Sequence, residues 1–200
     1  MPLQCTCPEC SVTEDRSDKC PLRQTQLHVK ALRLYSENSV AREACHAYAG
    51  MLGRGGSRWP RLEHIREFLR LQGRTRAGIA ACSMFQSEAV FVSSYFAETG
   101  ISSLVTTCKL GGISPEELPD GRAVSTVSYA CNPAAQALLL NEWDAEVNVL
   151  LGLCCPHDLV FTELSSAPVT TLFVKEHISG HWPYKTLKDL EKDRHGAQGM

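Results

Sequence analysis

The spacing of apolar residues divides the chain into a helical first part and a second part in which short strands alternate with helices. In residues 25–52, apolar side chains recur three and four positions apart, which predicts helix, with a polar break at Ser36–Ser39. Another helix is predicted after Trp59-Pro60 and ends at Gly73, because proline suits a first helical turn and glycine suits a helix end.

From residue 77 onwards, four short apolar runs have the length of buried strands. They are "AGIAACS", "SSLVTTCKLGG", "VNVLLGLCC" and "PVTTLFVKE". Helical stretches separate them; "NPAAQALLLNEWDA" has Asn132 near its N-cap, and "HDLVFTELSSA" is a short helix or turn. This alternation predicts right-handed crossovers and a parallel sheet with helices on both faces. We therefore expect an α/β fold, a Rossmann-like parallel sheet flanked by helices.

The same pattern predicts four regions along the chain. Residues 1–24 carry four cysteines and almost nothing apolar to bury, so we expect a cysteine-rich metal knuckle there. Residues 25–73 form a helical segment that packs on the core, residues 74–183 form the α/β core, and residues 184–200 form a charged C-terminal tail.

Composition and charge exclude several classes of protein. With 44% hydrophobic residues, 21% charged residues and a net charge of −2, the chain has an ordinary globular composition. No apolar run approaches the roughly 18 residues that span a bilayer, and "MPLQCTCPEC" lacks the features of a signal peptide, so we expect a cytoplasmic protein that does not act at a membrane.

The basic residues of "RWPRLEHIREFLRLQGRTR" alternate with acidic ones, which is typical of a solvated helix and not of a nucleic-acid-binding surface. The motifs GxGxxG, GxxxxGK[ST] and GxSxG are absent, so neither nucleotide chemistry nor serine hydrolysis is indicated.

The ten cysteines are the most informative residues of this sequence. In a reducing compartment, cysteines at this density more often bind metal or carry out redox chemistry than form disulfides. Near the N-terminus, four of them lie close together in a segment that apolar burial cannot fold, which favours metal ligation: Cys5, Cys7, Cys10 and Cys20. Zinc and a four-iron cluster both suit four thiolates, and the Cys20-Pro21 pair is familiar from ferredoxins. The alternative is an oxidisable segment without metal.

A second group of cysteines is predicted to meet at one edge of the sheet, because the carboxyl ends of parallel strands share an edge. These cysteines end the first three strands or precede the helix that starts at Asn132: Cys82, Cys108, Cys131, Cys154 and Cys155. The positive potential of helix N-termini at this edge favours thiolate, the form that binds metals and attacks electrophiles. The alternative is that these cysteines are small apolar residues that fill tight turns. Cys45 lies within a predicted helix, away from this pattern, and we expect it to be an apolar filler of the core.

Polar residues next to these cysteines add possible chemistry. His157 and Asp158 follow the third strand and could transfer protons or supply a ligand. His181, in "SGHWP" after the fourth strand, could reach the same edge and bind a cofactor with the cysteines. A thiol mechanism would use Cys154 or Cys155 as the nucleophile and His157 as its base.

Seven motifs in order resemble the domain-of-unknown-function 1847 family. They are "RWPRLEHIREF", "GIAAC", "CKLGGI", "CNPAAQALLLNE", "NVLLGLCCPHD", "SSAPVTTLFVKE" and "GHWP", and the resemblance runs from about Cys5 to Trp182. The family consists of uncharacterised proteins, mostly of anaerobic bacteria and archaea, often labelled metal-binding, with no established reaction. The resemblance implies an N-terminal cysteine group, single cysteines matching Cys82, Cys108, Cys131 and Cys154, and histidines matching His157 and His181.

The chain departs from this family pattern in two places. Cys155 and Pro156 stand where members usually have a small or aliphatic residue and often a glycine, which leaves open whether Cys154 or Cys155 is the ligand. Cys5 and Cys7 are one residue apart, where a Cys-x2-Cys start is common. The anaerobic distribution implies iron–sulfur more than zinc.

Three functions are consistent with these residues. The first is a metalloprotein with two thiolate sites, of which a 4Fe-4S cluster is the expected cofactor, in redox or sulfur chemistry with a redox partner protein. The second is a non-catalytic zinc-binding structural or regulatory module. The third is a thiol enzyme that uses Cys154 or Cys155 with His157.

Overall fold

The structure is a computed structural model that describes residues 26–117 and 129–197. The chain divides into two compact units, Met1–Gly50 and Met51–Met200. The N-terminal cysteines Cys5, Cys7, Cys10 and Cys20 lie outside the described residues, so the predicted knuckle stays a prediction.

The first unit contains helix α1 (Gln26–Glu37) and most of helix α2 (Ser39–Leu52). Asn38 separates them at the predicted polar break, and its side chain accepts a hydrogen bond from the backbone N–H of Ala41 at 2.9 Å. This contact supplies a partner for one of the N–H groups that the first turn of a helix leaves unpaired. Cys45 is exposed within α2, so its expected role as an apolar filler is wrong.

The second unit alternates strands and helices as predicted. Its elements are α3 (Arg61–Leu71), β1 (Arg76–Ala81), α4 (Gln86–Ala97), β2 (Ser102–Thr107), α5 (Pro133–Glu142), β3 (Val147–Leu151), α6 (Cys155–Leu164), β4 (Val169–Phe173) and α7 (Pro183–Ala197). Among the residues that the structure describes, no helix has both the length and the apolar composition needed to cross a membrane.

The four strands form one parallel sheet in the order β2-β1-β3-β4, which confirms the predicted α/β fold. The two central strands are the most buried: all five residues of β3 are buried, and so are the last five of β1. Their continuous apolar sequences follow from this position, because neighbouring helices cover both of their faces.

The two faces of the sheet pack against different helices. On one face, Ile79 and Val149 pack with Leu69 of α3 and Phe96 of α4. On the other face, the alternate strand residues pack with α5 and α6 in a cluster that includes Ala80, Leu150, Leu140 and Phe161. This alternation is the two-residue period of a strand buried on both sides.

The direction in which successive strands are added to the sheet reverses between the two central strands, β1 and β3. From β1 the chain moves outward to β2, whereas from β3 it moves outward in the opposite direction to β4. Such a reversal opens a crevice at the carboxyl ends of the central strands, where ligands bind in open α/β sheets. The residues that follow β1 and β3 therefore lie at the position where a site is expected.

Candidate functional site

Backbone hydrogen bonds join the segments that follow β1, β2 and β3. The N–H of Cys82 donates to the carbonyl of Leu151 at 3.0 Å, and the N–H of Cys108 donates to the carbonyl of Ala81 at 3.0 Å. The N–H of Asn132 donates to the carbonyl of Cys108 at 2.7 Å, which brings the start of α5 against the end of β2. Because these bonds involve the cysteines or their neighbours, the backbone itself places the thiols at this edge.

Cys108 and Cys131 form a close pair of sulfurs at this edge. Their Sγ atoms lie 3.7 Å apart. Cys108 is 2% exposed, whereas Cys131 is half-buried. The backbone N–H of Ser83 donates to the Sγ of Cys108 at 3.3 Å, and such a donor stabilises negative charge on sulfur.

Lys175 brings a positive charge to the same edge. Its Nζ donates to the Sγ of Cys82 at 3.5 Å, and Cys82 is 5% exposed. Burial acts to lower the pKa of Lys175, but the neighbouring sulfurs of Cys82, Cys154 and Cys108 outweigh this effect and raise the pKa above its usual value. The lysine therefore stays protonated, and its charge interacts with three of the five cysteines predicted at this edge.

Lys175 is a candidate functional residue that the sequence analysis did not name. The predicted fourth strand extended through Lys175 to Glu176, whereas β4 ends at Phe173. Lys175 thus follows a strand at the same edge as the cysteines, and its N–H donates to the carbonyl of Leu153 at 3.4 Å. The signal was present in the sequence, because a lysine directly at the end of an apolar run is unusual.

The two adjacent cysteines after β3 occupy different environments. Cys154 is the N-cap residue of α6 and is half-buried, whereas Cys155 is the first helical residue and is exposed. The carbonyl of Cys154 accepts hydrogen bonds from the N–H groups of His157 and Asp158 at 2.8 and 2.9 Å. Cys154, and not Cys155, affects the pKa of Lys175, so it is the better candidate for a group within the edge.

His157 and Asp158 lie in the first turn of α6. Burial lowers the pKa of His157, and the positive charges of Lys175 and Lys109 lower it further, so its imidazole is neutral near pH 7. Burial also raises the pKa of Asp158, whose Oδ1 is buried and has no hydrogen-bond partner among the described residues. A neutral imidazole can accept a proton from a thiol, which is the role predicted for His157 with Cys154; that role stays a prediction.

His181 is held by contacts outside the group of thiols. Its ring packs edge-on against Phe85 at 4.9 Å between centroids, and its Nδ1 accepts a hydrogen bond from the N–H of Glu176 at 3.0 Å. Its φ of 70° is rare for a residue with a side chain, and the hydrogen bond supports that conformation. These contacts explain His181 as an anchor for the loop after β4, while its predicted role in binding a cofactor stays a prediction.

The edge therefore contains a close thiol pair and a lysine–thiol pair. The sulfurs of Cys108 and Cys131 lie 3.7 Å apart, Lys175 donates a hydrogen bond to Cys82, and Cys154 helps to raise the pKa of Lys175. Within residues 26–117 and 129–197, no three histidine, cysteine, aspartate or glutamate side chains form a ready-made metal site. The arrangement can stabilise thiolates, bind a soft ion after local side-chain movement, or exchange electrons through the thiol pair.

Comparisons with known proteins place these residues in a family without an assigned activity. A family profile described as "Protein of unknown function (DUF1847)" matches residues 20–172, which include all five predicted edge cysteines and His157 but not His181 or three of the N-terminal cysteines. An uncharacterised protein of Methanocaldococcus jannaschii is 34% identical over 122 residues, which are 60% of this chain and 63% of that protein. The chain thus matches less than two thirds of this relative's length. No solved structure matches the chain.

Proposed function

Because the chain belongs to the DUF1847 family, whose description assigns no activity, we propose a function from its own residues: it is a metal-binding protein with a thiolate site at the carboxyl edge of its sheet. The ligands we propose are Cys82, Cys108, Cys131 and Cys154. The observation that carries the proposal is the distance of 3.7 Å between the sulfurs of Cys108 and Cys131.

This distance suits two ligands of one metal ion. Zinc–thiolate bonds are about 2.3 Å long, and in a tetrahedral site this length separates two sulfurs by roughly 3.8 Å. Cys108 and Cys131 already have this separation, so they can bind an ion with little change in their positions. Cys82 and Cys154 are the further ligands we propose, because both follow strands at the same edge and both raise the pKa of Lys175.

The surroundings of the pair favour negative charge on sulfur. Zinc bound by four thiolates carries a net charge of −2, and a partly buried negative centre needs donors or cations nearby. The N–H of Ser83 donates to Cys108, and Lys175 donates to Cys82. The proposed ion would therefore have one hydrogen-bond donor and one cation already in contact with its ligands.

An iron–sulfur cluster is the second candidate for this site. Each cysteine of a four-iron cluster binds a different iron, so its sulfurs lie farther apart than two ligands of one ion. The close pair of Cys108 and Cys131 therefore favours a single ion, whereas a cluster would require these two sulfurs to move apart. In this version the protein exchanges electrons with a redox partner protein, and Cys5, Cys7, Cys10 and Cys20 hold a second cluster or zinc.

Metal analysis of the full chain tests the proposal. Protein prepared without oxygen is assayed for zinc, iron and acid-labile sulfide, and stripped protein is titrated with Co²⁺, whose thiolate complexes absorb in the visible and near ultraviolet. We expect Cys108→Ser combined with Cys131→Ser to lower the metal bound by one ion per chain, or by one cluster if iron and sulfide are present. The N-terminal cysteines are unchanged in this variant, so any metal they bind remains.

Cys45→Ser and Cys155→Ser provide matched controls, because both cysteines are exposed. They should leave the metal content and the cobalt spectrum as in the unmodified chain. The proposal is wrong if the Cys108/Cys131 double variant, folded as judged by circular dichroism, binds as much metal as these controls. Iron with equimolar sulfide would favour the cluster, and zinc without sulfide would favour the single ion.

A further inference from the structure

The pair formed by Cys108 and Cys131 also has the arrangement of a redox-active dithiol. We propose that these two residues exchange with disulfides, so that the protein cycles between a reduced pair and a Cys108–Cys131 disulfide. The substrate class is a disulfide of low molecular weight. This activity does not require a bound metal, and it therefore stands or falls separately from the proposed metal site.

The two residues are placed so that a bond can form between them. A disulfide has an S–S length of about 2.05 Å and a Cα–Cα span of about 4.4–6.8 Å, so the two backbones must run close together. The hydrogen bond of 2.7 Å between the N–H of Asn132 and the carbonyl of Cys108 fixes the chain next to Cys131 against Cys108 itself. The sulfurs, 3.7 Å apart, then need to approach by roughly 1.7 Å, which a modest rotation of the side chains provides.

The unequal burial of the two thiols assigns their roles. Cys131 is half-buried and can be reached from solvent, whereas Cys108 is 2% exposed. A substrate disulfide can therefore meet Cys131 first, which makes Cys131 the attacking residue and Cys108 the resolving residue.

The exchange proceeds in two balanced steps. In the first, the thiolate of Cys131 attacks one sulfur of the substrate R–S–S–R, which forms a Cys131–S–S–R bond and releases RS⁻, which takes up a proton. In the second, the sulfur of Cys108 gives its proton to solvent and attacks the Sγ of Cys131, which releases the second RS⁻. The pair loses two electrons, and the substrate disulfide gains them as two thiols.

Contacts around Cys108 support the second step. The N–H of Ser83 points at its Sγ at 3.3 Å and stabilises the negative charge that Cys108 must carry when it attacks. The hydroxyl of Ser83 lies 3.7 Å from the same sulfur. In the reverse direction the same contacts favour Cys108 as the leaving thiolate when a thiol reduces the disulfide.

Peptide mapping of the full chain tests this inference. Metal-free, reduced protein is treated with oxidised glutathione, the remaining thiols are blocked, and the chain is cut after lysine, arginine and glutamate. Glu88 and Glu98 separate Cys82 from Cys108, Lys109 and Arg122 separate Cys108 from Cys131, and Glu142 and Glu146 separate Cys131 from the peptide that holds both Cys154 and Cys155. We expect a linked peptide pair that contains Cys108 and Cys131 and that is lost again on reduction.

Single variants test the order of attack. In Cys108→Ser, the glutathione mixed disulfide should accumulate on Cys131, because the resolving thiol is absent. In Cys131→Ser, modification of Cys108 should be slower by about tenfold or more, because a buried thiol reacts only after local opening. Cys155→Ser, which changes an exposed thiol, should leave formation of the linked pair unchanged.

Three results would overturn the inference. They are a stable mixed disulfide on Cys131 in the unmodified chain, a linkage of Cys131 to Cys82 or Cys154 in preference to Cys108, and equal rates of modification at Cys108 and Cys131. The mapping of the unmodified chain decides the matter even if a variant fails to fold. A protein that binds cobalt through these thiols but never forms the disulfide would contradict this inference alone.

Discussion

At the scale of single residues, Gly152 shows how tightly the edge of the sheet is packed. It follows β3 with a φ of 61°, and its N–H donates to the carbonyl of Phe173 at 2.8 Å. A Cβ at this position would lie 2.2 Å from the ring of Phe85 and 3.0 Å from the ring of Phe173. The glycine is therefore required both by the backbone conformation and by the two aromatic rings.

We predict that Gly152→Ala lowers the free energy of unfolding by about 2–4 kcal/mol, because the strain of a left-handed alanine adds to the overpacking of the rings. Gly73→Ala is the matched control: its φ is 62°, but a Cβ there meets nothing within 4 Å. The control should lose only about 1–2 kcal/mol. Urea denaturation measures both losses, and equal losses would show that the rings do not restrict this position.

The thiols and the lysine of the edge differ in how far the sequence could predict them. Cys82, Cys108, Cys131 and Cys154 follow from one rule, that the ends of parallel strands share an edge. The closeness of Cys108 to Cys131 does not follow from that rule, because it depends on the hydrogen bond between Asn132 and the carbonyl of Cys108. Likewise, the position of Lys175 beside Cys82 depends on where β4 ends and not on its apolar pattern.

At the scale of elements, the N-terminus of α5 connects helix stability to the position of Cys131. The Oδ1 of Asn132 accepts a hydrogen bond from the N–H of Ala135 at 2.9 Å, and its Nδ2 donates to the carbonyl of Leu110 at 3.3 Å. Pro133 then begins the helix. One side chain thus caps α5 and ties it to the loop that follows β2.

We predict that Asn132→Ala lowers the free energy of unfolding by about 1–2 kcal/mol, the usual cost of losing an N-cap. Asn132→Asp should lose less, because its carboxylate can still accept from Ala135 and also suits the positive end of a helix. Denaturation in urea compares the two variants. A loss at Asn132→Asp as large as at Asn132→Ala would mean that the bond to Leu110, and not the cap, is the important contact.

The elements themselves were predictable where one local signal dominated. The break at Asn38, the cap at Asn132 and the buried runs of β1 and β3 appear in the structure as expected. The apolar pattern predicted the ends of β3 and β4 too far along the chain. In both strands the apolar run continues past the last residue that is hydrogen-bonded to a neighbouring strand. In β3 the strand ends at Leu151 because Gly152 turns the backbone, although Leu153 beyond it is still buried.

At the scale of the whole molecule, the order of the strands in the sheet could not be predicted from the apolar pattern of the sequence. Parallel strands with helical crossovers are compatible with several orders, and the order β2-β1-β3-β4 is decided by which helix covers which face. In this chain α3 and α4 share one face, and α5 and α6 share the other. The reversal that results lies between β1 and β3, the two central strands that Cys82 and Cys154 follow.

The buried carboxylate of Glu67 should make the stability of the molecule depend on pH. Glu67 is 9% exposed; Arg70 donates to its Oε1 at 2.9 Å and Arg54 to its Oε2 at 3.0 Å. The hydrogen bond from Arg70 is the largest influence, and together with the charges of both arginines it outweighs burial and lowers the pKa of Glu67. A lowered pKa in the folded state contributes stability that is present above the unfolded value of about 4.3 and is lost as the pH falls through the folded pKa.

We therefore predict that Glu67→Gln lowers the free energy of unfolding by about 1–2 kcal/mol at pH 7, because a charged hydrogen-bonding partner of two arginines is lost. The difference from the unmodified chain should shrink below about pH 4, since protonated glutamate then resembles glutamine. Urea denaturation across this range measures it, because urea, unlike guanidinium chloride, does not screen the charges. Glu142→Gln, at an exposed position at the end of α5, should show no such dependence. If the free energy of unfolding of Glu67→Gln stays below that of the unmodified chain by the same amount from pH 7 to pH 3, packing and not the charge of Glu67 stabilises this part of the fold.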